Sequence, residues 1–268
     1  EAYLLNYCSG IMAAGPAGYV RLSDMLEIGA KAPFNANEEE AFKVLSKPQS
    51  DFLNSRVTRV GNAKRLDAYP INRIEKKKDN GKFRLLYIGV LEKHPSRGIL
   101  ETAITVNKMK GIQFDIGGFG TLVPTLKKVC DKMTNVNYIG SIHPDNVPLQ
   151  TIESDAVLMA LDPKNDNNRM SAPNKLFEAM SAGVPIITCK ELLMGQFVDN
   201  EEIGLTFEWG KWDRLKASLM KLIYDKELRQ RLGNRGRKLA EKTHNWEKCE
   251  ERIESLYRYV KNKSTLQA

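Results

Sequence analysis

Residues 171–178, Ser-Ala-Pro-Asn-Lys-Leu-Phe-Glu, set a cation and an anion three positions apart at the mouth of an amphipathic run. Pro173 suits a first helical turn, where its missing N–H is not needed. The N–H groups of Asn174, Lys175 and Leu176 are then expected to be unpaired and to point outward. Such a helix mouth binds a phosphate, with Lys175 as added charge. Glu178 lies one turn in, and its carboxylate accepts two donors side by side, as a ribose 2′/3′ diol offers them. Leu176, Phe177 and Met180 form the buried stripe, and Gly183 ends the helix. The spacing leaves open a plainer alternative, an ordinary i,i+3 ion pair between Lys175 and Glu178.

Two further stretches carry weaker signals. Lys93, His94 and Arg97 cluster in the loop "GVLEKHPSRG", with Arg97 before Gly98 at an expected helix start. Cations and free N–H groups there make an anion site or a solvated basic loop. "GGFG" at 117–120 lacks the full dinucleotide spacing and reads equally well as a tight strand-to-helix turn.

These residues need a scaffold. From "FRLLYIGV" at 83–90 onward, apolar strand-like runs alternate with helical patterns: "IQFDIGGFG", "NVNYIGSI", "DAVLMAL" and "VPIITC" are the strands. The fold class expected is α/β, a doubly wound parallel sheet of Rossmann-like form, followed by C-terminal helices at about 211–225, 226–243 and 246–262. Ligands of such sheets bind beyond the carboxyl ends of the strands, where all the residues above fall. Residues 1–72 are less regular. "NYCSGIMAAG" and "SRVTRVGN" each suggest a strand, and "NEEEAFKVLSK" a short capped helix. That is too short for a second domain of about 100–150 residues. The organisation expected is a partial N-terminal region over 1–72, a polar linker over 73–82, a nucleotide-binding domain over 83–245, and a closing helix and tail over 246–268. The start at Glu1 is read as processing or truncation of a longer chain.

Bulk properties narrow the class. The 268 residues carry 42% hydrophobic and 28% charged side chains, a globular balance. No apolar run approaches the roughly 18 residues of a membrane span. The first 20 residues do not read as a secretory signal. Cys8, Cys130, Cys189 and Cys249 match no zinc spacing, and a reducing, cytoplasmic setting is expected. The net charge of +8 resides in residues 211–263, which hold 16 Lys+Arg against 8 Asp+Glu, while the rest balances. A solvated face, an anionic membrane surface and nucleic acid are the three readings. No recognition motif supports nucleic acid.

The pieces in order resemble a glycosyltransferase of the GT-B fold, group 1 (family 4), over about residues 82–262. "LLYIGVLEKHPSRGI" resembles the first strand and its G-R-L…K-G loop, "FDIGGFG" the second glycine turn, and "NVNYIGSI" the segment that borders the base. "APNKLFEAMSAGVPII" resembles the P-x-K-L-F-E-x-M-A-x-G-x-P-I-I signature, "EIGLTFE" the following strand, and the 228–260 segment the closing helices. The resemblance implies a retaining transfer of sugar from a nucleotide-diphosphate donor to a hydroxyl of a glycan or lipid-linked acceptor. It implies that Glu178 binds ribose and that Arg97 stands for the phosphate-binding lysine. Gly89 and Gly118 would let the backbone approach the donor. Ser171, Ala172 and Pro173 would face its sugar and diphosphate, and Ile142 lies in the base-bordering segment. Arg97 and Lys175 are the expected catalytic cations, with Lys93 and Leu176 also in the nucleotide-sugar site. No metal or other cofactor is expected, because no D-x-D cluster is present.

Two positions depart from the family. Val90 replaces its arginine after the first glycine, and Met170 replaces a carboxylate eight residues before Glu178. Both favour a second reading, an inactive nucleotide- or partner-binding module. An epimerase or synthase is a third, with His94 and His143 as its only histidine candidates. In the family the last helix packs back on the N-terminal domain. Without that domain it would expose apolar surface, which predicts a homodimer.

Overall fold

The computed structural model describes residues 11–13, 57–70, 81–93 and 97–265. Two short parallel strands come first, β1 (Ile11–Ala13) and β2 (Val57–Arg59). The main sheet has six strands, all parallel, with helices between them. Its elements are β3 (Phe83–Val90), α1 (Ile99–Asn107), β4 (Ile112–Phe119), α2 (Val123–Cys130), β5 (Val136–Gly140), α3 (Val147–Ile152), β6 (Ala156–Met159), α4 (Asp166–Met170), α5 (Asn174–Ala182), β7 (Ile186–Cys189), α6 (Leu193–Asn200), β8 (Gly204–Phe207), α7 (Trp212–Tyr224), α8 (Lys226–Lys242) and α9 (Trp246–Thr265). The doubly wound α/β fold expected from the alternation of strand and helix is the fold observed.

The strand order is β5-β4-β3-β6-β7-β8. The chain builds outward from β3 in one direction, then returns to its other side and builds outward again. The reversal lies between β3 and β6. There the two strands share only the register pairs Leu85↔Ala156 and Leu86↔Val157, although β3 runs on to Val90. On its other side β3 pairs with β4 along all eight residues. The carboxyl end of β3 is therefore paired on one side and open on the other, which forms the crevice of such sheets.

Alternation along the strands loads the two faces differently. Phe83, Leu85 and Tyr87 of β3 and Ile112, Phe114 and Ile116 of β4 pack in a core with residues of α1, α2 and α7. Val157, Met159 and Ile186 pack in a second core with α5, α6 and α8. On the other face of β3–β4–β5 a polar cluster replaces the apolar layer. Asp115 accepts from Arg84 Nε at 2.6 Å, Gln113 Nε2 at 2.8 Å and Asn137 Nδ2 at 2.9 Å. Its partners satisfy it, so it reads as structure.

Two helices differ from the sequence reading. Residues 166–170, for which the sequence suggests no helix, form the short helix α4, and Asn165 Oδ1 caps it by accepting from the N–H of Asn168. Helix α6 has no counterpart among the expected elements, although Leu193, Met194, Phe197 and Val198 fall on one helical face and are buried. The two strands suggested within residues 1–72 are present. The expected helix at 37–47 and most of the 73–82 linker lie outside the described residues. Tyr69, assigned to the N-terminal remnant, is 2% exposed within the second core, and Arg237 donates to its carbonyl at 3.0 Å. Helix α9 packs on β2 and buries Cys249, Arg252, Ser255 and Leu256, while Tyr257 remains exposed.

Helix α8 crosses the end of α5 at Gly183, which has the left-handed φ of 66° of a helix cap. A Cβ on Gly233 would collide with the Gly183 carbonyl, whereas one on Gly236 would meet Met180 at 3.5 Å, an ordinary contact. Gly233→Ala should cost about 2 kcal/mol or more despite alanine's better helix propensity. Gly236→Ala should be neutral or gain up to about 1 kcal/mol. Urea denaturation of both variants measures the difference, and equal effects would contradict the packing described.

Candidate functional site

The open end of β3 meets the start of α5. Pro173 is the N-cap residue, with an extended backbone, and Asn174 is the first helical residue, one position later than expected. The Leu176 N–H is not free as expected. It donates to the Pro173 carbonyl at 3.1 Å, and its side chain is fully buried. The Leu176 side chain thus holds the helix in the core.

Lys175 does not project outward. The residue is half-buried, and its ammonium end turns in under the end of β3. Nζ donates to the Ile88 carbonyl at 3.0 Å and lies 4.4 Å from the centre of the Tyr87 ring. Both contacts favour a cation. Burial of the ammonium nevertheless lowers its pKa to about 8; Glu178 pulls it back up, and Arg97 pushes it further down. Arg97 is the second cation of this corner. It hydrogen-bonds the hydroxyl of Tyr87, which also donates to the Val90 carbonyl at 3.0 Å. Burial raises the Tyr87 hydroxyl to about 12, with Arg97 opposing, so it stays a neutral donor. Arg97 Nε is enclosed and has no hydrogen-bond partner among the described residues.

The two glycines also have a steric reason within the fold. A Cβ on Gly89 would lie 2.5 Å from Lys175 Nζ, and one on Gly118, at φ 139°, would collide with the Gly89 carbonyl. Their missing side chains make room for the lysine and for the neighbouring strand. A Cβ on Gly117 would press on Ile142 at 2.8 Å, so Ile142 lies over the carboxyl end of β4.

Glu178 is largely enclosed, and its ion pair is with Lys64 Nζ at 3.0 Å. The two charges of the signature therefore have separate partners on other chain segments, in place of the i,i+3 pair. Sequence reasoning missed Lys64, 114 positions upstream; no local pattern marks it. Ser171 caps α4 by donating from Oγ to the Asn168 carbonyl at 3.0 Å, and the Ala172 carbonyl accepts from Asn62 at 2.9 Å. Val90 is exposed at the strand tip, and Met170 packs against the second core.

Lys93 is exposed and lines, with Arg97, Glu92 and Leu122, a cavity of about 310 Å³ on the α1 side. His143 is exposed beside Asp145, where it caps a short turn. His94 lies outside the described residues. Among the described residues no group of three or more His, Cys, Asp or Glu is placed to hold a metal.

The structure thus brings Arg97, Lys175 and Gly89 together at one strand end, with Glu178 one turn along α5. Such a corner offers two cations to an anion and, beside it, a carboxylate to hydroxyl groups.

The chain was compared with known proteins. The family model described as "Glycosyl transferases group 1" matches residues 69–239. A 163-residue stretch is 28% identical to the capsular polysaccharide biosynthesis glycosyltransferase CapM of Staphylococcus aureus, covering 52% of this chain and 42% of that protein. Solved structures share the fold. WaaG, a glycosyltransferase involved in lipopolysaccharide biosynthesis, aligns with a TM-score of 0.59 at 14% identity, over 73% of this chain and 55% of that one. HepE of Anabaena, solved with UDP-glucose, aligns with a TM-score of 0.62 at 12% identity, over 96% of this chain and 64% of that one. The chain spans less than two thirds of the length of each of these three proteins. The family match covers more than half of the chain and contains the whole corner from Gly89 to Glu178, so the chain belongs to the group 1 glycosyl transferases.

Proposed function

We propose that this chain carries the donor site of a retaining glycosyltransferase that moves a hexose from a nucleoside-diphosphate sugar to a hydroxyl of a glycan or lipid-linked glycan. The observation that carries the reading is the convergence of Lys175 and Arg97 at the end of β3, where the strand order reverses. The barrier of such a reaction lies in the departing diphosphate and in the cation-like sugar. Cations fixed before the substrate arrives stabilise the leaving oxygens without reorganising. The start of α5 adds its N–H groups and dipole, and Glu178 accepts the ribose hydroxyls one turn further. The arginine that Val90 replaces is offset by Lys175, whose ammonium occupies the space beside Gly89. That placement favours an active donor site over the inactive module that Val90 and Met170 suggest. The UDP-glucose bound to HepE and the polysaccharide role in CapM's name are consistent with this substrate class. A metal-independent leaving-group step is part of the proposal, with Arg97 and Lys175 in the metal's place.

The acceptor class suggests a membrane surface. Helices α7–α9 carry the basic excess, and α7 exposes Met220 and Tyr224 beside Lys216 and Lys221. Among the described residues no helix is long and apolar enough to cross a bilayer. Contact would therefore be peripheral, through cations and the interfacial Tyr.

Three outcomes follow. Glu178→Ala should weaken nucleoside diphosphate binding at least about tenfold by calorimetry; unchanged affinity would remove the ribose role. Lys175 gives a pH signature. In the unfolded chain its ammonium titrates near 10.4, so from about 8 to about 10 the unfolded state holds a proton that the folded state releases, and stability rises with pH there. A bound diphosphate recharges the lysine. Binding should therefore take up protons near pH 8 and weaken by up to roughly tenfold per pH unit above it. Lys175→Met should flatten that dependence, and a flat wild-type profile would contradict the assignment. Vesicles containing phosphatidylserine should sediment the chain at low salt and release it at high salt, while pure phosphatidylcholine vesicles should not. Equal binding to both would exclude the basic helices as the contact.

A further inference from the structure

The proposed reaction gives Lys64 no task, yet its ammonium is placed as closely as any in the site. Nζ lies 3.0 Å from Glu178 Oε1 and donates to Asn174 Oδ1 at 3.1 Å. The side chains of Lys64 and Glu178 are only 24% and 15% exposed, so neither end swings freely in solvent. The backbone beneath is fixed as well. The Lys64 carbonyl accepts from the Trp246 N–H at 3.0 Å, and Lys64 forms a parallel bridge with Asn245 at the start of α9. Two residues earlier, Asn62 Nδ2 donates to the Ala172 carbonyl. A segment outside the main sheet is thus tied to the first turn of α5 at both of its edges.

The chemistry of the contact separates two roles. An ammonium has three donors, and two are spent on Asn174 and Glu178. A carboxylate has about four lone-pair sites, so Lys64 at Oε1 leaves Oε2 and part of Oε1 for a diol. Because Asn174 and Glu178 are four apart on α5, one cation bridging them fixes the glutamate side chain along the helix. A carboxylate locked in one rotamer loses less freedom when a ligand arrives.

We propose that Lys64 is a positioning residue that holds the Glu178 carboxylate in the orientation that accepts both ribose hydroxyls, and so sets the preference for ribonucleoside over deoxyribonucleoside donors. This inference rests on the reading of Glu178 as the ribose acceptor.

Calorimetry with UDP, GDP and ADP and with their 2′,3′-dideoxy counterparts tests it. For whichever base binds, the wild-type chain should favour the ribonucleotide by about tenfold or more. Lys64→Met should weaken the ribonucleotide by about tenfold and leave the dideoxynucleotide within about twofold, so that the ratio collapses. Lys64→Arg should restore most of the ratio. A purely structural lysine would weaken both ligands alike. A retained ratio in Lys64→Met, or a tighter ribonucleotide complex, would overturn the role of Lys64. Absence of discrimination or of any binding in the wild type would instead overturn the ribose reading of Glu178, and this inference with it. Thermal melting shows whether Lys64→Met folds; if it does not, Lys64→Gln carries the same comparison.

Discussion

A lysine ammonium drawn in under the end of a β-strand is the constraint on which the site depends. Lys175 Nζ needs an acceptor, a π-face and an absent side chain, and it finds them in the Ile88 carbonyl, Tyr87 and Gly89. Each follows from the topology. The end of β3 lacks a ladder partner in β6 because the strand order reverses there, and Tyr87 is held by the core beneath it. The partial loss of hydration shows as a pKa lowered to about 8. On the proposed function a diphosphate would restore what burial removes from this cation, with Arg97 close by.

Helix α5 is the platform that makes the arrangement rigid. Leu176, Phe177, Ala179 and Met180 bury one side of it in the second core, and Gly183 closes it against α8. From this fixed rod one long side chain reaches across to β3 and another to Lys64. The distances within the site are therefore set by the packing of α5 against the sheet and α8, through residues that a ligand would not touch.

The scaffold was legible because its signals are local. "FRLLYIGV" and "VPIITC" are short apolar runs; the first is strand β3 throughout, and the second contains strand β7. The Asn165 cap and the Leu193–Val198 face are equally local signals. The directions of side chains in the site were a different matter. The sequence offers Lys175 only as added charge at the helix mouth, because spacing along a helix says nothing of the strand end that lies beside it. The close approach of Gly118 to the Gly89 carbonyl and of Gly89 to Lys175 is likewise tertiary, and the sequence does not display it. Lys64 is invisible in the sequence, since its partner lies 114 residues away and no periodicity joins them.

On the proposed function, Lys175 and Arg97 mark the diphosphate position and Glu178 the ribose. A crystal structure of the chain with the nucleoside diphosphate it binds tightest tests this most directly. Phosphate oxygens are expected within ion-pair distance of Arg97 and Lys175 at the end of β3, with the ribose diol on Glu178. A nucleotide seated elsewhere, or one at this corner with its ribose turned away from Glu178, would contradict it.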